Sequence, residues 1–153
     1  LSLHDALPIL LSMAGLKDSL VVQNIASLYA NGPVAISSAK LIFDINSTGL
    51  TNNFAPHNNL LIFGSDSTGA NITTADALET SSYYGGSFSD ATDTYSFNIA
   101  RYLQQTLKKV VEEGGKDYGL FLVAGGSTSN ARRTLLKGQS SIKLIVTTTK
   151  INP

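Results

Sequence analysis

His57 is the one histidine outside the first nine residues, so a Ser-His-Asp triad or a histidine-bearing metal site would have to be built on it. It stands in the polar stretch NFAPHNN (53–59) with no second histidine nearby, and it reads as a solvated loop residue. Neither a Gly-x-Ser-x-Gly elbow nor a His-Glu-x-x-His pair occurs. Asp66, Asp76, Glu79, Asp90 and Asp93 supply carboxylates for glycoside hydrolysis, which needs two acids about 5–9.5 Å apart across a cleft. All five lie in turn-like contexts, where an aspartate favours hydrogen bonds to its own nearby backbone, so structural roles are expected of them. Loop oxygens could also hold Ca²⁺, but no Asp-x-Asp-x-Asp-Gly run is present. The segment VAGGSTSNARRTLLKG (123–138) follows an apolar run as a phosphate loop would. It lacks the Gly-Lys-Ser/Thr that opens such a helix, and it reads as a hairpin turn. No catalytic residue, no metal and no cofactor is expected.

Two features fit binding better than catalysis. Tyr83 and Tyr84 adjoin Gly85-Gly86, and an aromatic ring beside glycine can stack on a sugar. Successive strand residues face opposite ways, so one tyrosine is expected in the core and the other outside. Arg132, with Arg101 and Arg133, can meet an anionic group, although Arg101 opens a helix and is expected to pair or be solvated there. The ligand-binding candidates are therefore Tyr83, Tyr84 and Arg132.

Charged residues make up 14% of the 153, against roughly 25% in ordinary soluble domains, and the 11 basic and 11 acidic side chains cancel. A nucleic-acid binder needs a basic footprint, which this balance does not supply. A 42% hydrophobic content supports a core, and a chain of this size buries roughly 70% of its unfolded surface. Without cysteine there are no disulfides. No apolar run approaches the ~20 residues that span a membrane, so direct insertion is not expected. Asn46-Ser47-Thr48 and Asn71-Ile72-Thr73 match the glycosylation sequon, a pattern common by chance in a chain so rich in Asn and Thr.

Hydrophobic periodicity supplies the elements. ILLSMAG (9–15) predicts a strand. Leu16, Leu20, Ile25, Leu28 and Tyr29 predict a helix over 16–30, stopped by Asn31-Gly32-Pro33. VAISSAKLIFDIN (34–46) alternates, with Ala35, Ser37, Ala39, Leu41, Phe43 and Ile45 on one face. LLIFGSD (60–66) is an apolar strand, and a helical turn is expected near Ala75–Glu79. Tyr84–Phe88 and Tyr95–Ile99 form a hairpin about a turn at Asp90–Asp93. From Ile99 the period changes from two to helical, with Tyr102, Leu103, Leu107, Val110 and Val111 on one stripe of a helix over 100–113. Strands are predicted over 117–126, 131–138 and 141–150. The fold class is mainly β: an antiparallel β-sandwich of jelly-roll type, about eight strands with two accessory helices. If NARRTLL (130–136) were helical, the architecture would be α/β instead. One domain is expected over 10–150 with a tail at 151–153. LSLHDALPI (1–9) reads as translated adapter sequence, so His4 and Asp5 carry no functional weight, and the chain is read as a fragment that lacks its beginning.

In order along residues 10–150, SLVVQN, VAISSAKLIFDI, LLIFGSDSTG, YYGGSFSDATDTYSFNIARYLQQTL, YGLFLVAGGSTSNARRTLLKG and IKLIVTTTK resemble the C-terminal part of a family of Bacteroidetes secreted lipoproteins catalogued as domain of unknown function 4270. The resemblance implies an exported, lipid-anchored envelope protein whose C-terminal sandwich is similar to non-catalytic carbohydrate-binding modules. It supplies no catalytic residues. The signal peptide, lipidated cysteine and upstream half of that family are not in this sequence. The expected function is non-catalytic: a structural or protein-interaction domain of the cell envelope, with carbohydrate binding as the alternative and an enzyme using turn carboxylates third. The expected partner is accordingly a surface glycan or an envelope protein.

Overall fold

In the computed structural model the described residues are 2–3, 9–11, 34–46, 55–126, 132–138 and 141–150. The helix expected over 16–30, its Asn31-Gly32-Pro33 stop and the 151–153 tail lie outside them. The strands in chain order are β1 (Ser2–Leu3), β2 (Ile9–Leu11), β3 (Val34–Asp44), β4 (Leu60–Ser65), β5 (Asn71–Thr73), β6 (Gly85–Ser89), β7 (Thr94–Asn98), β8 (Leu120–Ala124), β9 (Thr134–Leu135) and β10 (Lys143–Lys150). Two helices, α1 (Ser81–Tyr84) and α2 (Ala100–Leu107), are flanked by a 3₁₀ turn at Ala75–Leu78 and a π-helical turn at Lys108–Glu112.

Eight strands form two four-stranded antiparallel sheets, β10-β3-β7-β6 and β2-β8-β4-β5, while β1 and β9 make a separate two-stranded ladder. Alternation explains the pairing of faces. Leu41 and Phe43 of β3, Tyr95 and Phe97 of β7, Leu60 and Ile62 of β4, and Leu120 and Leu122 of β8 all point inward into one core cluster. The fold is thus a mainly β sandwich, as the periodicity predicts. Two hairpins, β4–β5 and β6–β7, each stay within one sheet, so the strand order supports the sandwich without the jelly-roll type expected for it. Ser2–Leu3, within the nine residues read as adapter sequence, pairs with Thr134–Leu135.

Three sequence expectations need correction. First, β3 does not alternate through its whole length. Opposite β10 the register slips between Thr147, facing Ser38, and Thr148, facing Ile36. A β-bulge at Ser37 inserts one residue and reverses the phase. Val34 and Ile36 therefore join the core side with Ala39 and Leu41, while Ser37 is exposed. Second, residues 132–138 contribute only the short β9 and a bridge from Leu136 to Ile45, so the helical alternative for NARRTLL does not hold over its described part. Third, the α2 stripe stops at Leu107. Leu103 and Leu107 are buried, but the wider winding of the π turn carries Val111 outward to 41% exposure.

Strand β7 runs directly into α2 because Ile99 serves both. It is fully buried, its N–H donates to the Ala39 carbonyl at 2.9 Å, and its carbonyl accepts the first helical bond from Leu103. Ile99 has no side chain to cap the helix. The cap comes from Asp76, whose fully buried carboxylate accepts the N–H groups of Arg101 (3.0 Å) and Tyr102 (2.8 Å). An anion at a helix N-terminus is favoured both by the unpaired N–H groups and by the helix dipole. Asp76 is therefore not a local turn residue. It joins the 3₁₀ turn after β5 to the helix after β7.

Truncation should separate the two halves of the helix. Leu107→Ala is expected to cost about 2–5 kcal/mol of unfolding free energy, the usual range for a buried leucine. Val111→Ala should stay within about 0.5 kcal/mol. Urea unfolding of both variants checks this, and equal losses would place the apolar stripe across the π turn.

Candidate functional site

The two sheets meet at one corner, and the largest polar groove of that region lies there. The Asn58 carbonyl accepts Phe88 N–H and the Asn59 carbonyl accepts Gly125 N–H, both at 2.9 Å, and Asn59 bridges Ser87. Gly86, at φ +87°, makes the approach possible: a Cβ there would sit 2.5 Å from the Leu60 carbonyl oxygen and 2.7 Å from Phe97 Cε1. Gly86 thus serves this close approach, and Gly85, where a Cβ would clash with the Ser96 carbonyl oxygen, serves the pairing with β7, rather than a flat binding platform.

Two adjoining clefts open at the corner. The larger, about 480 Å³, is lined by Asn58, Asn59, Ser81, Tyr84, Gly126 and Arg132 among others. The second, about 380 Å³, is lined by Pro56, Phe88 and Asp90, and shares Asn58, Asn59, Ser87 and Arg132 with the first. Arg132 stands where they join. Its Nη1 donates to the Pro56 carbonyl at 2.8 Å, and no carboxylate among the described residues is within ion-pair distance of it.

Of the sequence candidates, Tyr84 and Arg132 come together at this groove and Tyr83 does not. Tyr83 is 38% exposed and Tyr84 is buried, the division expected of the pair, although both sit on α1 rather than on a strand. Tyr84 is nevertheless no stacking platform. Its hydroxyl accepts the Ile62 N–H at 2.8 Å and donates to the Ile62 carbonyl at 3.0 Å. Strand β5 pairs with β4 only at Phe63–Ser65, so the hydroxyl satisfies backbone groups that the sheet leaves unpaired. Burial pushes its pKa up, and the hydroxyl stays protonated.

His57 is not a solvated loop histidine: it is 5% exposed beneath the groove. Thr134 Oγ1, fully buried, lies 3.0 Å from both the His57 N–H and Nδ1, and the Tyr95 hydroxyl donates to the His57 carbonyl. The Thr134 hydroxyl also lies 3.2 Å from the Tyr95 hydroxyl, so its one proton is shared between two acceptors, Nδ1 and the Tyr95 oxygen. Burial lowers the His57 pKa, and the Arg132 charge lowers it further. Burial also pushes the Tyr95 pKa up to about 12.

Comparisons with protein-family models, curated proteins and solved structures gave no match to this chain.

Most of the acids are engaged elsewhere, and Asp90 is the exception. Asp66 Oδ1 accepts the N–H groups of Thr68 and Ala70 and the Thr68 hydroxyl, the local turn role expected of it. These bonds lower its pKa, the Thr68 hydroxyl contributing most. Glu79 pairs with Arg101, as expected for an arginine opening a helix, and Asp44 pairs with Lys143. Asp90 lines the second cleft, and Asp93, at φ +51°, forms part of the β6–β7 turn. Among the described residues no three metal-ligating side chains converge.

One cleft escaped the sequence reading. About 170 Å³ in volume, it lies between β5 and α2 and is lined by Thr74, Tyr102, Gln105, Lys109, Asp117 and Tyr118 among others. Asp117 Oδ1 accepts the Tyr102 hydroxyl at 2.8 Å and the Gly119 N–H at 3.1 Å, while Oδ2 and the Thr74 hydroxyl are shielded without partners among the described residues. An unpaired buried acceptor costs roughly 1–3 kcal/mol. Burial and the Asp117 charge together push the Tyr102 pKa up. Only a contact map could have joined residues this far apart in sequence.

Two measurements follow. Tyr84→Phe should lose roughly 1–3 kcal/mol, because it strands both polar groups of Ile62; a neutral substitution would mean water replaces the hydroxyl. The pH dependence has a definite sign. The unfolded imidazole titrates near 6.5, whereas the folded one resists protonation, so the unfolded chain binds more protons as pH falls. Stability should be level above about pH 7.5 and fall as pH drops from about 6.5 toward the folded value. Thermal melts of the wild type and His57→Gln check this, the variant losing the slope between about pH 7 and 5.5.

Proposed function

We propose that the chain is a non-catalytic domain of an exported envelope lipoprotein with a structural or protein-interaction role. What supports the non-catalytic part is the commitment of most of its acid–base groups, Asp90 and Asp93 apart. The sole histidine outside the first nine residues is buried and bonded to Thr134, and Asp66, Asp76, Glu79 and Asp117 each hold a structural partner. General acid–base work needs a group within reach of substrate with a pKa near the working pH. The interaction part is supported by the outward face of the β2-β8-β4-β5 sheet. There Leu61 pairs across from Val123 and Phe63 from Phe121, and Leu61 is 38% exposed. An antiparallel sheet facing water ordinarily alternates apolar-in with polar-out, so an apolar outward row favours a protein contact. The lipoprotein and envelope assignments follow the sequence resemblance.

A second reading, a carbohydrate-binding module, is favoured by the Arg132 groove, where exposed Asn58, Asn59 and Ser87 surround a half-buried guanidinium.

Position-specific crosslinking tests the first reading. A photocrosslinker at Leu61 and at Val123 should give the same adduct with one envelope protein in cells, and a crosslinker at Thr147 of β10 should not. Adducts at all three positions alike would remove the apolar row as the contact. A hydrolytic turnover lost in Asp90→Asn or Asp93→Asn would overturn the non-catalytic assignment.

A further inference from the structure

We propose that the groove at Arg132 binds an acidic sugar within a glycan, the guanidinium taking the sugar carboxylate and the exposed amides taking hydroxyl and ring oxygens. The proposal rests on the carbohydrate-binding reading and deepens it by naming the class of sugar.

Four observations carry it. Arg132 is half-buried, and its Nη1 bond to the Pro56 carbonyl anchors the guanidinium without neutralising it. The two ion pairs among the described residues, Arg101–Glu79 and Lys143–Asp44, lie elsewhere. A planar guanidinium with free N–H edges matches a carboxylate in bidentate fashion, a geometry that lysine cannot copy.

The groove is also rich in donors. Asn59 Oδ1 accepts the Ser87 hydroxyl at 2.9 Å, which leaves the amide nitrogen of Asn59 as the group it offers a ligand. Asn58 beside it is exposed. The Tyr84 hydroxyl, the polar group on the other wall, is already shared between the two backbone atoms of Ile62. The Arg132 guanidinium and the Asn59 amide nitrogen thus present donors where the two clefts meet, and the complementary ligand supplies acceptors there.

The shape calls for a chain rather than a free ion. The two clefts, about 480 and 380 Å³, meet at Asn58, Asn59, Ser87 and Arg132. A ligand centred on Arg132 can extend both ways. Finally, the far part of the second cleft holds Asp90 and the half-exposed ring of Phe88. A carboxylate there repels a run of acids. This favours one acidic unit flanked by a neutral sugar, whose hydroxyls can donate to Asp90, over an acidic peptide or a polyanion.

The experiment is a titration of the chain, followed by calorimetry and by amide shifts in NMR, with an oligosaccharide of alternating hexuronate and neutral hexose. The controls are the same oligosaccharide with its carboxyl groups reduced and a polyglutamate peptide of equal charge. The uronate oligosaccharide should bind, with shifts at Asn58, Asn59, Ser87 and Arg132. Affinity should fall about tenfold or more for the reduced oligosaccharide and in Arg132→Gln, as expected for loss of a charge-assisted pair. Asn58→Asp, at an exposed position, should weaken uronate binding by repulsion without lowering the melting temperature, and it carries the test if Arg132→Gln unfolds. Equal affinity for the acidic and reduced sugars would overturn the acidic-sugar assignment and leave the carbohydrate reading standing. Binding of neither would overturn both. Polyglutamate binding as tight as the uronate would move the site to acidic peptides.

Discussion

The N–H and C=O of Ile62 must be paired inside the molecule, and the sheet does not pair them. This constraint recurs wherever a strand ends early in this fold. Tyr84 answers it on β4, its hydroxyl standing in for the residue β5 lacks. Gln104 answers it on β3. Strand β7 covers only Lys40–Asp44, and beyond that point its chain has turned into α2. From α2 the Gln104 side chain accepts the Ile36 N–H at 2.7 Å and reaches the Val34 carbonyl at 3.4 Å. Asp76 answers it for the helix itself, at Arg101 and Tyr102. An unpaired buried backbone group costs about as much as a lost hydrogen bond. Each of these three side chains therefore fixes how one element can sit against the next, and the helix does more than cover the core.

The same logic sets the groove. Residues 55–59 run against 132–134 through the backbone bond from Arg133 N–H to the Ala55 carbonyl, through Arg132 to the Pro56 carbonyl, and through the buried set of His57, Thr134 and Tyr95. Tyr95 is anchored in β7, so this network ties the groove segment to the centre of one sheet. The Asn59 carbonyl and Gly125 N–H tie it to the other. Burial chiefly lowers the His57 pKa, and the Arg132 charge adds to it, since two adjacent cations under one groove would repel each other.

Much of the scaffold was legible in the sequence because it depends on local periodicity. The alternation of Tyr95, Phe97 and Ile99, the switch to helical spacing at Ala100 and the apolar run of β4 all follow from neighbours within a few residues. The bulge at Ser37 was not, since its phase change is set by the pairing with β10, more than a hundred residues away. The candidate site divides the same way. Arg132 was found by residue type, and the opposite fates of Tyr83 and Tyr84 came out as expected of a strand although the pair sits on α1. The burial of His57 and Asp76 was missed, because loop-like composition hides a long-range partner: Thr134 lies 77 residues from His57, and Arg101 lies 25 from Asp76. A polar residue in a Gly- and Asn-rich stretch reads as solvated until its partner is known.

This division has a consequence for how the groove relates to the fold. At Asn58 and Asn59 the backbone carbonyls are committed to Phe88 and Gly125, and these bonds do not depend on the side chains. Both side chains are exposed, and the bond from the Ser87 hydroxyl to Asn59 is at the surface. Beneath them every large group is tied: Tyr84 to β4, Tyr95 and Thr134 to His57. Substitutions above this floor change what the groove presents at small cost in stability, whereas substitutions within it disturb the corner where the sheets meet. Arg132 belongs to both layers, since Nη1 holds Pro56 and the residue lines both clefts. The position of its charge is therefore set by the scaffold, and the groups around it remain free to set specificity.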